Sequence, residues 1–184
     1  MRTALAAACE KYRAIPNLFV LMPNHFHLIL TTPLGNIDVV MQYFISEATR
    51  AIQLRANRIN HIFGGRYRWS FLKSAAALGY AYKYVARNPV RAGLAASVEQ
   101  YDFSTLASTT SALPIADGIG KYWQFIPQDY GNRLEWLNRR TPKEQEELIG
   151  KALRRYNFQF TKDSNFQKNL RLLRQEYGIE SPLL

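Results

Sequence analysis

Leu18-Phe19-Val20-Leu21-Met22-Pro23-Asn24-His25-Phe26-His27-Leu28-Ile29-Leu30 is an apolar run with two histidines set into it. It is too short to span a membrane and is bounded by Pro16 and Pro33, so it reads as one buried strand continuing to Thr32. Side chains alternate across a strand. His25 and His27 are therefore expected on one face, with Phe26, Leu28 and Leu30 on the other. Two imidazoles on a rigid strand, one hydrophobe apart, make half of a metal site. A lone His-x-His is more often a satisfied core or surface pair, so the rest of the chain carries the decision.

Outward from this run, helical and extended patterns alternate. Thr3 to Arg13 places Leu5, Cys9 and Tyr12 on one helical face and stops before Pro16. Pro33-Leu34-Gly35-Asn36 is a turn, after which Asp38 to Asn57 repeats Val40, Phe44, Ala48, Ile52 and Leu54 at helical spacing. Gly64-Gly65 breaks the chain, and Tyr67 to Lys73 alternates as a second strand. Ala75 to Arg87 is an Ala-rich helix, and Asn88-Pro89 opens a short further turn closed by Gly93. Past Tyr101 the composition shifts. Ser104 to Ser111 reads as a polar linker and Pro114 to Gly131 as irregular. Thr141-Pro142-Lys143-Glu144 reads as a capping box opening a helix, and Ser164 to Tyr177 as a last helix. The expected division is a domain over 1–103 and a linker with a C-terminal helical extension over 104–184.

Charge narrows the function classes. The chain of 184 residues carries a net charge of +10, which calls for an anionic partner. From Ala48 to Val98 there is no Asp or Glu, while Arg50, Arg55, Arg58, Arg66, Arg68, Lys73, Lys83, Arg87 and Arg91 all fall there. Phe63, Tyr67, Trp69, Phe71, Tyr80, Tyr82 and Tyr84 are interleaved with them. Cations with aromatic platforms are what single-stranded nucleic acid needs. The one cysteine, Cys9, excludes an internal disulfide framework and fits a reducing compartment. With no apolar stretch of membrane-spanning length, the expected location is the cytoplasm and no membrane partner is expected.

Tyr84 and Asn88 stand four residues apart at a helix end and can share a face. A phenol is a weak nucleophile at neutral pH, since it ionises near pH 10. Beside a metal that polarises a phosphate it can still attack and form a phosphotyrosine. The residue pattern alone also allows Tyr84 to be a packing residue, and His61 to complete a three-histidine hydrolase site with water as the nucleophile.

Met22-Pro23-Asn24-His25-Phe26-His27-Leu28-Ile29-Leu30, Phe63-Gly64-Gly65-Arg66-Tyr67 and Tyr84-Val85-Ala86-Arg87-Asn88-Pro89-Val90-Arg91-Ala92-Gly93-Leu94 closely resemble, in this order, the REP-associated tyrosine transposases, a branch of the HUH single-tyrosine transposases. The resemblance covers roughly residues 5 to 103. It implies an α/β ferredoxin-like sandwich with an antiparallel central sheet, and an enzyme that cuts and rejoins single-stranded DNA beside hairpins. Under it His25, His27 and Asn88 match the metal site, for Mg²⁺ or Mn²⁺, and Tyr84 matches the nucleophile. Arg50, Arg55, Arg58, Arg66, Tyr67, Arg68, Lys83, Arg87 and Arg91 are the expected DNA contacts. A monomer is expected, although related insertion-sequence enzymes form dimers. Family members carry a strand before the first helix. The sheet is therefore expected to lack its first strand, with an unpaired edge beside the histidines, and a catalytically impaired single-stranded DNA-binding module is the alternative.

Overall fold

The computed structural model describes residues 1–57, 59, 61–107, 121–160, 171 and 175. The apolar run is two strands, β1 (Ile15–Leu21) and β2 (Phe26–Thr31), paired antiparallel with Phe19 opposite Leu28 and Leu21 opposite Phe26. This corrects the single strand expected from hydropathy. Pro23-Asn24 is a turn pair inside an otherwise continuous apolar stretch, and the hairpin closes there with Met22 N–H donating to the His25 carbonyl at 2.8 Å. Among the described residues the named sheet has these two strands.

The hairpin is buried on both faces. Phe19 packs with Leu5, Cys9, Val40, Met41 and Phe44 from α1 (Arg2–Tyr12) and α2 (Ile37–Ala56), and Leu21, Phe26, Leu28 and Leu30 lie against the same cluster. Leu18, Val20, Met22 and Ile29 face α3 (Ala75–Ala86) on the other side. The two layers of helix follow from local signals. Arg13 and Asn57 take the left-handed conformation that ends α1 and α2, and the Ser74 hydroxyl accepts from Ala77 N–H to cap α3. A short α4 (Asn88–Arg91) follows at once, and Gly93, at φ +70°, terminates it.

The fold is thus mixed α/β with an antiparallel pair at its centre. Leu54, expected on the apolar face of α2, is 79% exposed. Tyr67 to Lys73 is not a named strand; it makes one isolated parallel bridge, Phe71 to Asn157. A double-Gly start and three basic side chains leave it too little apolar surface for two buried faces.

Nor is Ser104 to Ala107 a linker. Ser104 bridges Val20, and the Thr105 hydroxyl accepts from Phe19 N–H at 3.0 Å, so these residues cover the outer edge of β1. Residues 108–120 and the helix expected over Ser164 to Tyr177 lie outside the described residues, apart from the isolated positions 171 and 175. What lies between is built into the core. Trp123, in a short 3-10 turn, and Trp136, Leu137, Leu148 and Ile149, carried by α5 (Tyr130–Asn138) and α6 (Lys143–Leu153), belong to the cluster around α3. The core therefore runs straight across position 104. The capping box is not formed: α6 starts one residue later, with Pro142 at the cap and no side-chain cap bond.

Two of the expected DNA contacts are structural. Lys83 is fully buried on α3 with its Nζ 5.4 Å from the centroid of the Trp136 ring, and Arg87 is 8% exposed. Arg87 Nη1 donates to the carbonyls of Leu137 (2.9 Å) and Asn138 (3.0 Å), which end α5, and its Nε lies 3.7 Å from Glu146 on α6. A cation at a helix C-terminus meets the negative end of the dipole, and here it also ties α5 and α6 to α3. Both face inward because α3 is apolar nearly all round, so that residues expected to contact DNA are wrapped by the segment beyond 120.

Arg87→Met should lower stability by about 2–4 kcal/mol, since two buried carbonyls and Glu146 lose a charged partner. Urea unfolding checks this; a loss under about 0.5 kcal/mol would mean that the latch contributes little.

Candidate nucleic-acid groove and histidine pair

The free edge of β2 borders a groove of about 1730 Å³. Consecutive residues of β2 from both of its faces line it, as a groove along an edge requires, and among the described residues no strand pairs there. The groove is also lined by Phe63 to Lys73 apart from Arg66, by Tyr84, Asn88 and Arg91, and by Gly150, Arg154 and Tyr156. Among the described residues no Asp or Glu lines it, whereas Arg68, Lys73, Arg91 and Arg154 do.

His25 closes the hairpin turn and His27 sits one pleat further on β2. Their Nε2 atoms converge to 3.1 Å. Two nitrogens held about 2.1 Å from one cation at right angles lie about 3 Å apart, so the pair is spaced as adjacent ligands of a single ion. The Asn24 amide oxygen lies 2.6 Å from His25 Nδ1. An amide oxygen only accepts, so His25 carries its proton on Nδ1 and turns a lone pair on Nε2 towards His27; this is how an outer partner orients a metal-binding imidazole. Burial first, then His25 and the charge of Arg91, bring the His27 imidazolium down to about 4. His27 is therefore neutral at pH 7, the ligating form.

Asn88 is buried and its amide is engaged on both sides. Its Nδ2 donates to the carbonyls of Tyr84 (3.1 Å) and Val85 (3.4 Å), and its Oδ1 accepts from Arg91 Nη2. A pyrrolidine follows it, and this back-bonding serves the α3 carbonyls at the junction with α4. Tyr84 is half-buried, with the Arg91 guanidinium 4.3 Å from its ring centroid. Its hydroxyl rests against α6, where a Cβ built on Gly150 would lie 2.9 Å from Oη. Among the described residues nothing hydrogen-bonds this hydroxyl. Tyr80 and Tyr82, by contrast, are fully buried against Phe158 and Trp123 respectively.

The groove thus gathers His25, His27, Tyr84, Asn88, Tyr67, Arg68 and Arg91 from the residues singled out in the sequence. Arg50 and Arg55 are exposed on α2 and do not line it; Arg50 is paired with Glu47 at 2.9 Å. Arg66 and the Tyr67 hydroxyl both meet Asp38, at 3.1 and 2.6 Å. Arg58 lies outside the described residues. His61 is exposed and does not line the groove, and the described residues hold no group of three His, Cys, Asp or Glu able to hold a metal. Lys73, counted in the acid-free block but not among the contacts, and Arg154, Tyr156 and Gly150 from beyond residue 104 are lining residues that sequence reasoning missed. Only Lys73 had a signal, its place in that block; the others reach the groove through tertiary packing of α6. No helix is long and apolar enough to cross a membrane among the described residues. Comparison with protein-family models, with curated proteins and with solved structures finds no match to this chain.

The depressed His27 value has a sign. Between pH 6.5 and about 4 the unfolded chain binds a proton that the folded chain refuses, so stability falls as pH drops through that window, and the loss is complete below it. Thermal melting in metal-free buffer should show this acid slope, and His27→Gln should flatten it. An identical slope in the variant would remove His27 as its source.

Proposed function

We propose that this chain cuts and rejoins single-stranded or hairpin DNA, with Tyr84 as the nucleophile. The observation that carries the reading is the groove: a convergent histidine pair and a tyrosine whose hydroxyl is unbonded among the described residues share one cleft, which the described residues line with four cations and no carboxylate. A carboxylate-free lining favours phosphate, whose neutralisation releases counterions, over acidic or neutral small molecules. The finer architecture, a ferredoxin-like sandwich, belongs to the same proposal, as do a monomeric state and a cytoplasmic location.

In this mechanism Arg68, Lys73 and Arg154 hold the strand by its phosphates along the groove. His25 and His27 are spaced to hold a divalent cation, Mg²⁺ or Mn²⁺, which when bound would polarise a phosphate oxygen. The Tyr84 oxygen attacks phosphorus, forming the Tyr84 O–P bond as the bond from phosphorus to the 3′ oxygen breaks. The phenol proton is lost to solvent and the departing 3′ oxygen gains one, leaving a 5′-phosphotyrosine and a free 3′-hydroxyl. Arg91, over the tyrosine ring, places a positive charge beside the developing phenolate. Rejoining reverses these bonds, and because one ester replaces another no ATP is consumed.

Asn88 favours a second reading, a DNA-binding module without turnover. Its oxygen already accepts a hydrogen bond from Arg91, a cation that competes with a metal ion for it. A covalent adduct separates the two readings.

With Mg²⁺ or Mn²⁺ and a single-stranded hairpin substrate, the wild type should form a covalent protein–DNA adduct, and Tyr84→Phe should not. Because the hydroxyl has no hydrogen bond to lose among the described residues, Tyr84→Phe should change stability by less than about 0.5 kcal/mol. Denaturing gels with mass-spectrometric mapping, alongside thermal melting, make the check. An adduct on another residue would overturn the assignment, and no adduct with retained binding would leave the module reading.

A further inference from the structure

Part of the groove lining brings Trp69, Phe71 and Lys73 together with Arg154 and Tyr156 from the chain that follows α6. Backbone hydrogen bonds from Phe71 N–H to the Tyr156 carbonyl (2.7 Å) and from Phe158 N–H to the Phe71 carbonyl (3.0 Å) fasten the segment after α6 to the acid-free block. This bridge sets the Tyr156 ring beside Trp69, centroids 4.6 Å apart at 67°. Tyr156 is 64% exposed, a large apolar cost for a ring that meets only Trp69 among the described aromatic rings. Trp69 is half-buried, and Phe71 beside it is 53% exposed. Lys73 and Arg154 flank the rings as exposed cations, and neither pairs with a carboxylate among the described residues.

We propose that Trp69 and Tyr156 form a base-stacking platform for unpaired nucleotides, with Lys73 and Arg154 contacting the flanking phosphates. An edge-to-face pair leaves flat ring surface open, and every base has a π-face to offer it. Cations without carboxylates suit a polyanion and argue against an acidic or apolar peptide. The two backbone bonds hold the rings before any strand arrives, which reduces the ordering cost of binding. The platform rests on the single-stranded DNA reading above and extends it by giving the segment beyond residue 104 a place in substrate binding, separate from Tyr84 and the histidines.

The test compares binding of the full chain to a thymidine oligonucleotide and to the same backbone with abasic sites. Trp123 and Trp136 are buried, so quenching of tryptophan fluorescence on binding reports on Trp69. Wild type should bind the thymidine strand about fivefold to a hundredfold more tightly than the abasic one, with quenching. Tyr156→Leu should lose most of that difference while binding the abasic strand as wild type does, and Tyr156→Phe, which keeps the ring, should retain it. If Tyr156→Leu does not fold, wild type and Tyr156→Phe against the two strands still decide. Equal wild-type affinity for the two strands, or an undiminished preference in folded Tyr156→Leu, would overturn the platform while leaving the groove reading intact. A wild type that binds neither strand would overturn both.

Discussion

The register of the β1–β2 hairpin is the constraint on which the rest depends. Both faces of this two-stranded unit are buried, one under α1 and α2 and the other under α3. A slip of one residue would exchange the faces, carrying Phe26 and Leu28 to the groove and driving His25 and His27 into an apolar core. Burying a phenylalanine such as Phe19 contributes roughly 1.5–3 kcal/mol, so the apolar side chains fix the register, and the imidazoles follow from it. The chemistry of the histidine pair is in this sense inherited from packing on the opposite face.

What the sequence disclosed was what depends on local periodicity. The helices over α1, α2 and α3 and the shared face of the two histidines follow from spacing alone. The hairpin turn was hidden because Pro23-Asn24 interrupts the apolar run for only two residues, and α5 was hidden because its signal, Asp129 capping Asn132 N–H at 2.8 Å, lies inside an aromatic-rich stretch without clear period. The acid-free block divides in a way that composition does not show. Arg68, Lys73 and Arg91 face the groove, whereas Lys83 and Arg87 are enclosed by residues more than fifty positions away or close to it. Whether a basic helix face is solvated depends on what covers it, and that is a tertiary fact.

Beyond residue 120 the chain does three things at once. α5 and α6 complete the core around α3, Arg87 binds the end of one and approaches Glu146 of the other, and the segment after α6 bridges Phe71 and adds Tyr156 to the groove lining. The site is therefore assembled from separate parts of the chain, with the histidines contributed early, Arg68, Trp69, Lys73 and Arg91 from the acid-free block, and Arg154 and Tyr156 late.

Gly150 gives that assembly a gauge. Its missing side chain is the space into which the Tyr84 hydroxyl projects, and a single methyl there would stand 2.9 Å from the oxygen. The separation of α3 and α6 is thereby encoded in the absence of one carbon atom, so the tyrosine's reach is set by a helix that does not carry it. In laboratory evolution, position 150 would act as a dial for tyrosine placement, adjustable without replacing the tyrosine itself.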